Sequence, residues 1–500
     1  MDAWRENVSN AMPLEDKRPI VTPTQDYPVR TTFIDMGRSD VTEQSRSRFS
    51  EGLQGDFIDD RTFADRFREF GRNTTFHGLG YVTNNKYNYM RRLGWSAVVL
   101  TVSGVLISQI VTLILHFYTY PMTSTISINY VETMTFPAVT LCNFNQFKKS
   151  QLDQTDLDFM KKLYGPLGRD VNSIDFDSIA TKESAFGDDD DVNTYLFSAS
   201  HTLEDMLIDC KWRSSHNCTA KNFTRRFTDH GVCFTFNEPA NKAERPLSVR
   251  NAGSRDGLYM RLYAEHDEYT FGESTAAGFR VLLHPQGVLP LVKELGFSLS
   301  PGFESSVTVR QNKIKTLKAP FKSNCTESRL AHSEVYTVPT CRFECKVTFA
   351  VERCGCRDYR WPGNEPICLP EIQIKCIYPV EEEFQNTDVG CNCPDSCDLT
   401  TYESRISMGY WPADHISNLH STRGNINVSN IRKNYLDVYI YFEELMYIQI
   451  EQTEAFSKSS LQSNIGGYMG LFCGMSIITV IEWLDFLSVT LIRKFRHKKD

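Results

Sequence analysis

The chain has 500 residues, 41% hydrophobic and 23% charged, with a formal net charge of −8 and fifteen cysteines. All the cysteines but Cys473 fall between Cys142 and Cys397, and a long apolar stretch stands on either side of that segment. These counts exclude a cytosolic enzyme, a secreted domain and a transporter with many spans, and the acidic balance argues against nucleic acid as a partner.

The first ninety or so residues are polar and start MDAWRENVSN, with no apolar core behind a basic segment, so no cleavable signal peptide is expected. Leu93 to Leu115 then runs without a charge, long enough to cross a bilayer, and Ile465 to Ile492 does the same with only two charges, Glu482 and Asp485. Arg91 and Arg92 precede the first span, and Arg493, Lys494, Arg496, Lys498 and Lys499 follow the second, which places both ends in the cytosol. The expected organisation is a cytosolic region 1–92, a first span 93–117, an outer domain 118–462, a second span 463–492 and a cytosolic tail 493–500. The cysteine density fits an oxidising compartment, and the sequons at Asn217, Asn222, Asn324 and Asn427 all lie in the same segment, as glycosylation there requires. Sequons also occur at Asn7 and Asn73, so sequons alone decide little.

Within the outer segment, 125–131 and 136–141 read as strands broken around Pro137, and 151–164 has helical spacing of Leu152, Leu157, Phe159 and Leu163. The acidic run 188–191 reads as a solvated loop, and 203–210 as a second short helix. Leu436, Val438, Ile440 and Phe442 alternate along a strand leading to the second span, so strands attached to both spans would pair. Cys341 and Cys345 are four apart, as are Cys393 and Cys397, and Cys-x-Cys pairs occur at Cys354/Cys356 and Cys391/Cys393. That spacing is tighter than zinc sites use and no His lies near, so disulfides are expected, with neither metal nor cofactor. No nucleophile, His and carboxylate stand together, so no enzyme is expected.

Several ordered motifs give the chain a family resemblance. They are Phe76-His77-Gly78; Phe136 to Asn143 reading FPAVTLCN; Gly257-Leu258; Asp267-Glu268-Tyr269; Leu295-Gly296-Phe297; Pro301-Gly302-Phe303; the cysteine module; and Ser463 to Ser476 reading SNIGGYMGLFCGMS. The chain resembles the epithelial sodium channel, degenerin and acid-sensing channel superfamily. The resemblance implies a homotrimer in the plasma membrane, with two helices per subunit and a disulfide-rich α+β outer domain of palm, finger, thumb, knuckle and β-ball type. It implies sodium as the permeant ion and amiloride as a blocker.

Carried over residue by residue, Gly474, Met475 and Ser476 match the Gly-x-Ser selectivity filter, where backbone carbonyls and a hydroxyl replace part of an ion's hydration shell. Gly466, Gly470 and Gly474 repeat every four residues, a face that lets helices approach closely, with Gly467 beside it. Glu482 and Asp485 match pore acids that would form threefold rings, Ser463 and Asn464 fall at the degenerin position, and His77 and Gly78 match the cytosolic gating motif. The bridges implied are Cys142–Cys233, Cys210–Cys218, Cys325–Cys397, Cys341–Cys393, Cys345–Cys391, Cys354–Cys376 and Cys356–Cys368.

Two stimuli compete. Proton gating needs crowded carboxylates with raised pKa values, yet after Tyr269 the chain keeps only Glu273, with Glu381, Glu382 and Glu383 in the thumb. Met446 also stands where the acid-sensing branch places Asn. The texture is more similar to the FMRFamide-gated sodium channels of invertebrates. An amidated Phe-Arg-Phe-type neuropeptide needs rings and a carboxylate, for which Phe144, Phe147, Phe159 and Tyr164 with Asp153, Asp156 or Asp158 are candidates. The alternative is a proton-gated sodium channel. From other classes, an adhesion or scavenger receptor would not need acids in a glycine-broken span, and an ATP-gated trimer would show clustered Lys and Arg near the membrane.

Overall fold

The computed structural model describes residues 62–164, 174, 189–239, 244–387, 389–416 and 428–496. They form two compact units, one of residues up to Ser96 together with those from Thr479, the other Ala97–Ile478. Asn427, Asp188, Lys498 and Lys499 lie outside the described residues.

In the larger unit the strands follow in chain order as β1 (Met122–Tyr130), β2 (Met134–Thr135), β3 (Ala138–Asn143), β4 (Leu207–Trp212), β5 (His216–Asn217), β6 (Phe223–Thr228), β7 (Gly231–Phe236) and β8 (Ser248–Val249). Then come β9 (Leu258–Tyr263), β10 (Phe279–His284), β11 (Phe297–Leu299), β12 (Phe303–Lys315), β13 (Asp398–Tyr410) and β14 (Tyr435–Glu454). A seven-stranded sheet runs β13-β12-β14-β9-β4-β5, with β1 also on β14, and a five-stranded sheet runs β11-β10-β3-β7-β6. β14 holds the larger sheet together because its period of two sorts its residues: Leu436, Val438, Ile440 and Phe442 are buried on one face. On the other face Tyr439 meets Tyr259 and Tyr435 meets Tyr263, each pair with centroids 4.8 Å apart. Its carboxy-terminal half pairs antiparallel with β1 from Met122↔Glu454 to Tyr130↔Met446, so the strands next to both apolar helices are neighbours. Gly257 enters β9 where a Cβ would lie 2.3 Å from the Ile440 carbonyl oxygen, which explains glycine in that motif. The buried faces of both sheets share one core, in which Phe136 packs edge-on against Trp212 and Phe442.

Two sequence expectations fail locally. Residues 203–210 are not one helix: Leu203–Met206 is a single turn capped by Thr202, and Cys210 lies on β4. The pairing of β4 with β9 overrides helical spacing there. Asp189 to Asp191 are not loop but open the helix Asp189–Ala199.

Seven disulfides occur: Cys142–Cys233 joins β3 to β7, Cys210–Cys218 closes the β4–β5 turn, and Cys325–Cys397 ties the end of β12 to the start of β13. The other four are Cys341–Cys393, Cys345–Cys391, Cys354–Cys376 and Cys356–Cys368. The helix Val338–Cys354 starts at a Thr337/Thr340 capping box and ends at left-handed Gly355. It buries Phe343, Val347 and Ala350 on one face while Cys341 and Cys345, one turn apart, fasten another face to the returning 391–393 segment. Tyr120 and Phe321 rings meet edge-on at 5.7 Å, where the first apolar helix gives way to β1. Asn217, Asn222 and Asn324 are exposed.

Candidate permeation and ligand sites

The helix Tyr89–Phe117 is uncharged from Leu93 onward and buries only Leu106. Leu100, Ile107 and Leu115 stand more than 60% exposed, so this surface calls for an apolar surrounding. It is long and apolar enough to cross a membrane; the helices Lys458–Cys473 and Ile477–Arg496 pass the same test only as a pair joined at a break.

That break is built by sequence. The helix from Lys458, capped by Ser457, stops because Gly474 takes φ 62° and ψ 23°, a left-handed conformation that glycine adopts without steric cost. Its N–H donates to the Gly470 carbonyl at 3.0 Å, the closing bond of a left-handed helix cap, and the Met475 N–H donates to the Met469 carbonyl at 3.1 Å. Met475 and Ser476 follow outside either helix. Gly467 and Gly466 have nothing within 4 Å of an added Cβ, and Gly470 meets only the Met475 carbonyl at 4.0 Å, so contacts within this chain do not require these glycines. Ser463 and Asn464 are exposed on the same helix.

In the smaller unit the helix Phe63–Asn73, capped by Thr62, puts Phe63, Phe67 and Phe70 on one face. Phe70 lies 4.9 Å from Trp483 and 4.7 Å from Phe486 between centroids, and Phe63 and Phe67 also touch Phe486. The next residues continue the contact: the Thr74 hydroxyl donates to a Glu482 carboxylate oxygen at 3.0 Å, and the Thr75 and Thr479 hydroxyls bond each other. Thr479, Glu482, Trp483 and Phe486 are one helical face, so Glu482 is half-buried while Asp485 is exposed. The two acids are thus inequivalent, a distinction their shared motif did not carry. Gly78 is left-handed at φ 87° and opens the turn Leu79–Thr83, with His77 exposed before it.

A cavity of about 380 Å³ lies between the helices Gln154–Tyr164 and Asp189–Ala199 and the cysteine-bridged segment. Phe147, Asp156, Phe159 and Tyr164 line it, as do Tyr195, Tyr359 and Tyr378, which sequence reasoning missed. Phe144 does not; its ring sits edge-on to His230. Asp153 is absent too, since its carboxylate accepts the Asp156 N–H at 2.9 Å at the helix start, the ordinary work of an acid there. The cavity's polar groups are partnered: Tyr195 donates to Asp156 at 2.8 Å, the Tyr164 and Tyr378 hydroxyls bond at 2.9 Å, and Tyr359 donates to Gln146 at 3.1 Å. Arg360 reaches Asp358 through two nitrogens and Glu273 through a third, and Lys293 also holds Glu273. Burial alone would raise the Glu273 carboxyl, but Arg360 and Lys293 hold it below the usual carboxylate range. The signal for this network was present in Cys356-Arg-Asp-Tyr-Arg, three charges in four residues at the start of the loop closed by Cys356 and Cys368. Among the described residues no three His, Cys, Asp or Glu side chains converge to hold a metal ion.

Outside the cavity, burial raises two carboxyls among the described residues, Glu238 and Asp229. Asp229, at the β6–β7 turn, accepts the Lys293 N–H at 3.0 Å and the Glu294 N–H at 3.3 Å, yet burial pushes it up to about 6. Its neighbour His230 is pushed down to about 4 by burial, as is His284.

Comparison with known proteins agrees with this architecture. Acid-sensing ion channel 4 of Mus musculus is 33% identical over 431 residues, covering 84% of this chain and 78% of its own. Acid-sensing ion channel 1B of Danio rerio is 30% identical, covering 83% and 75%, and acid-sensing ion channel 2 of Homo sapiens is 30% identical, covering 84% and 85%. Residues 70–486 match the amiloride-sensitive sodium channel family. With the bridged domain, its sheets and the match extending over most of its length, the chain belongs to that family of sodium channels and is not an enzyme.

Proposed function

We propose that this chain forms a homotrimeric, sodium-selective, amiloride-blockable channel of the plasma membrane, opened by an extracellular amidated neuropeptide. Each subunit crosses the bilayer twice with both termini cytosolic, and residues 118–462 face outward. Gly474, Met475 and Ser476 form the filter, and the uncovered glycine face at Gly466, Gly467 and Gly470 meets the same face of two other copies. Glu482 and Asp485 concentrate cations inside it.

The observation that carries the peptide reading is the aromatic cavity. Glu273 and Arg360 in its wall already neutralise each other, which suits rings better than protons, and the Asp156 carboxylate, which accepts from the Tyr195 hydroxyl, offers a negative charge for an arginine. Ligand binding shifts the closed-open equilibrium by its differential affinity for the two states. Phe159→Ala and Tyr164→Ala are expected to raise the half-activating concentration of FMRFamide roughly tenfold or more each, the loss of a buried aromatic contact, with maximal current retained. Dose-response currents at neutral pH test this; unchanged sensitivity in both variants would sink the peptide site.

A second reading, opening by acid, is favoured by Asp229 and by the names of the acid-sensing relatives. A carboxyl raised to about 6 from 3.8 stabilises this arrangement in acid, and that contribution is lost as pH rises through 6. His230, lowered to about 4 from 6.5, acts oppositely, its contribution being lost as pH falls through 4. Asp229→Asn removes the first effect, so under this reading the acid-evoked current loses its dependence between pH 6 and 4. A current evoked by peptide and not by acid leaves the second reading without support.

A further inference from the structure

Glu482 lies on the helix Ile477–Arg496, and the structure half-buries it beneath the chain's own amino-terminal segment. Three phenylalanines of Phe63–Asn73 seat on Trp483 and Phe486, which brings the chain past Glu482 one helical turn away. Thr74 donates its hydroxyl to the carboxylate at 3.0 Å, and Thr75 bonds Thr479 one turn further along the same face. A hydrogen bond to an ionised acceptor is worth more than one between neutral groups, the more so away from water. Asp485, one turn from Glu482 toward the other side, is exposed.

We infer that Thr74 is a positioning residue for permeation: its hydroxyl fixes the orientation in which the Glu482 carboxylate faces the ion path, while Asp485 beside it keeps its freedom. The inference rests on the reading of Glu482 as a pore acid. Two consequences follow from the geometry. Losing the hydroxyl while keeping the side chain's shape releases the Glu482 carboxylate from that orientation and changes how it meets the ion. Losing the carboxylate makes the hydroxyl irrelevant to the ion.

The test uses the full chain in cells, with Thr74→Val, Thr74→Ala, Thr74→Ser, Glu482→Gln and the double variant Thr74→Val/Glu482→Gln, surface protein measured for each. Thr74→Val is expected to shift the sodium over potassium permeability ratio roughly twofold, the size of coupling between neighbouring groups. Thr74→Ser should behave as the unmodified chain, and Thr74→Val should add nothing in the Glu482→Gln background. Thr74→Ala serves the same comparison if the valine variant fails to reach the surface. A hydroxyl-free variant with unchanged permeation, or one whose shift persists undiminished in the Glu482→Gln background, overturns the positioning role. A Glu482→Gln channel with unaltered conductance and selectivity overturns the pore reading beneath it, which is a separate and recognisable failure.

Discussion

Replacing Gly474 with valine is expected to abolish sodium current while the protein still reaches the cell surface. Gly474 sits at φ 62°, where an L-residue pays roughly 1–2 kcal/mol and a β-branched side chain more. The conformation also aligns two closing hydrogen bonds, from Gly474 to Gly470 and from Met475 to Met469. A residue that refuses it either continues the helix or displaces Met475 and Ser476, and both outcomes move the carbonyls proposed to face the ion. Ser476→Leu attacks the same site by bulk and by loss of a hydroxyl. Whole-cell recording with surface biotinylation checks both, and unchanged current and selectivity in the pair would contradict the filter assignment.

The second large effect concerns stability. Arg360→Ala should destabilise the bridged domain by roughly 3–5 kcal/mol, because it strands a buried carboxylate. The Asp358 side chain is 0% exposed and that of Arg360 4%, with contacts of 2.6 and 2.9 Å between them. Burial would raise Asp358, but Arg360 beside it holds the carboxyl below its ordinary range. Arg360 also holds Glu273 at 2.8 Å, so its loss loosens the cavity wall as well as the disulfide loop. Replacing both members, as in Asp358→Leu with Arg360→Met, should cost much less, since no charge is then left alone. Thermal unfolding of the solubilised full chain, followed by gel filtration, distinguishes these cases; an Arg360→Ala chain as stable as its parent would refute the account of this pair.

Much of the outer domain was legible because its physics is local. Alternation at Leu436, Val438, Ile440 and Phe442 announces β14, and the spacing of Leu157 and Leu163 announces a helix that the structure places at Gln154–Tyr164. Local signals misled at Cys210, where apolar residues with helical spacing sit beside a strand that recruits them. The pairing of cysteines came from resemblance, since spacing alone leaves too many combinations open. Partners far apart in sequence were the least legible. Nothing near Phe159 points to Tyr378, and nothing near Glu482 points to Thr74, 408 residues away. The spacing of Phe63, Phe67 and Phe70 did carry a readable stripe, but its polar background hid it.

The most direct test of the central claim is the reversal potential of the current in cells expressing this chain alone, evoked by an amidated Phe-Arg-Phe-type peptide and separately by an acid step. External sodium is replaced in turn by potassium and by a large organic cation. A sodium-selective channel predicts that the reversal potential moves to strongly negative values when sodium is removed, and that amiloride suppresses the current. A reversal potential indifferent to sodium would contradict the account.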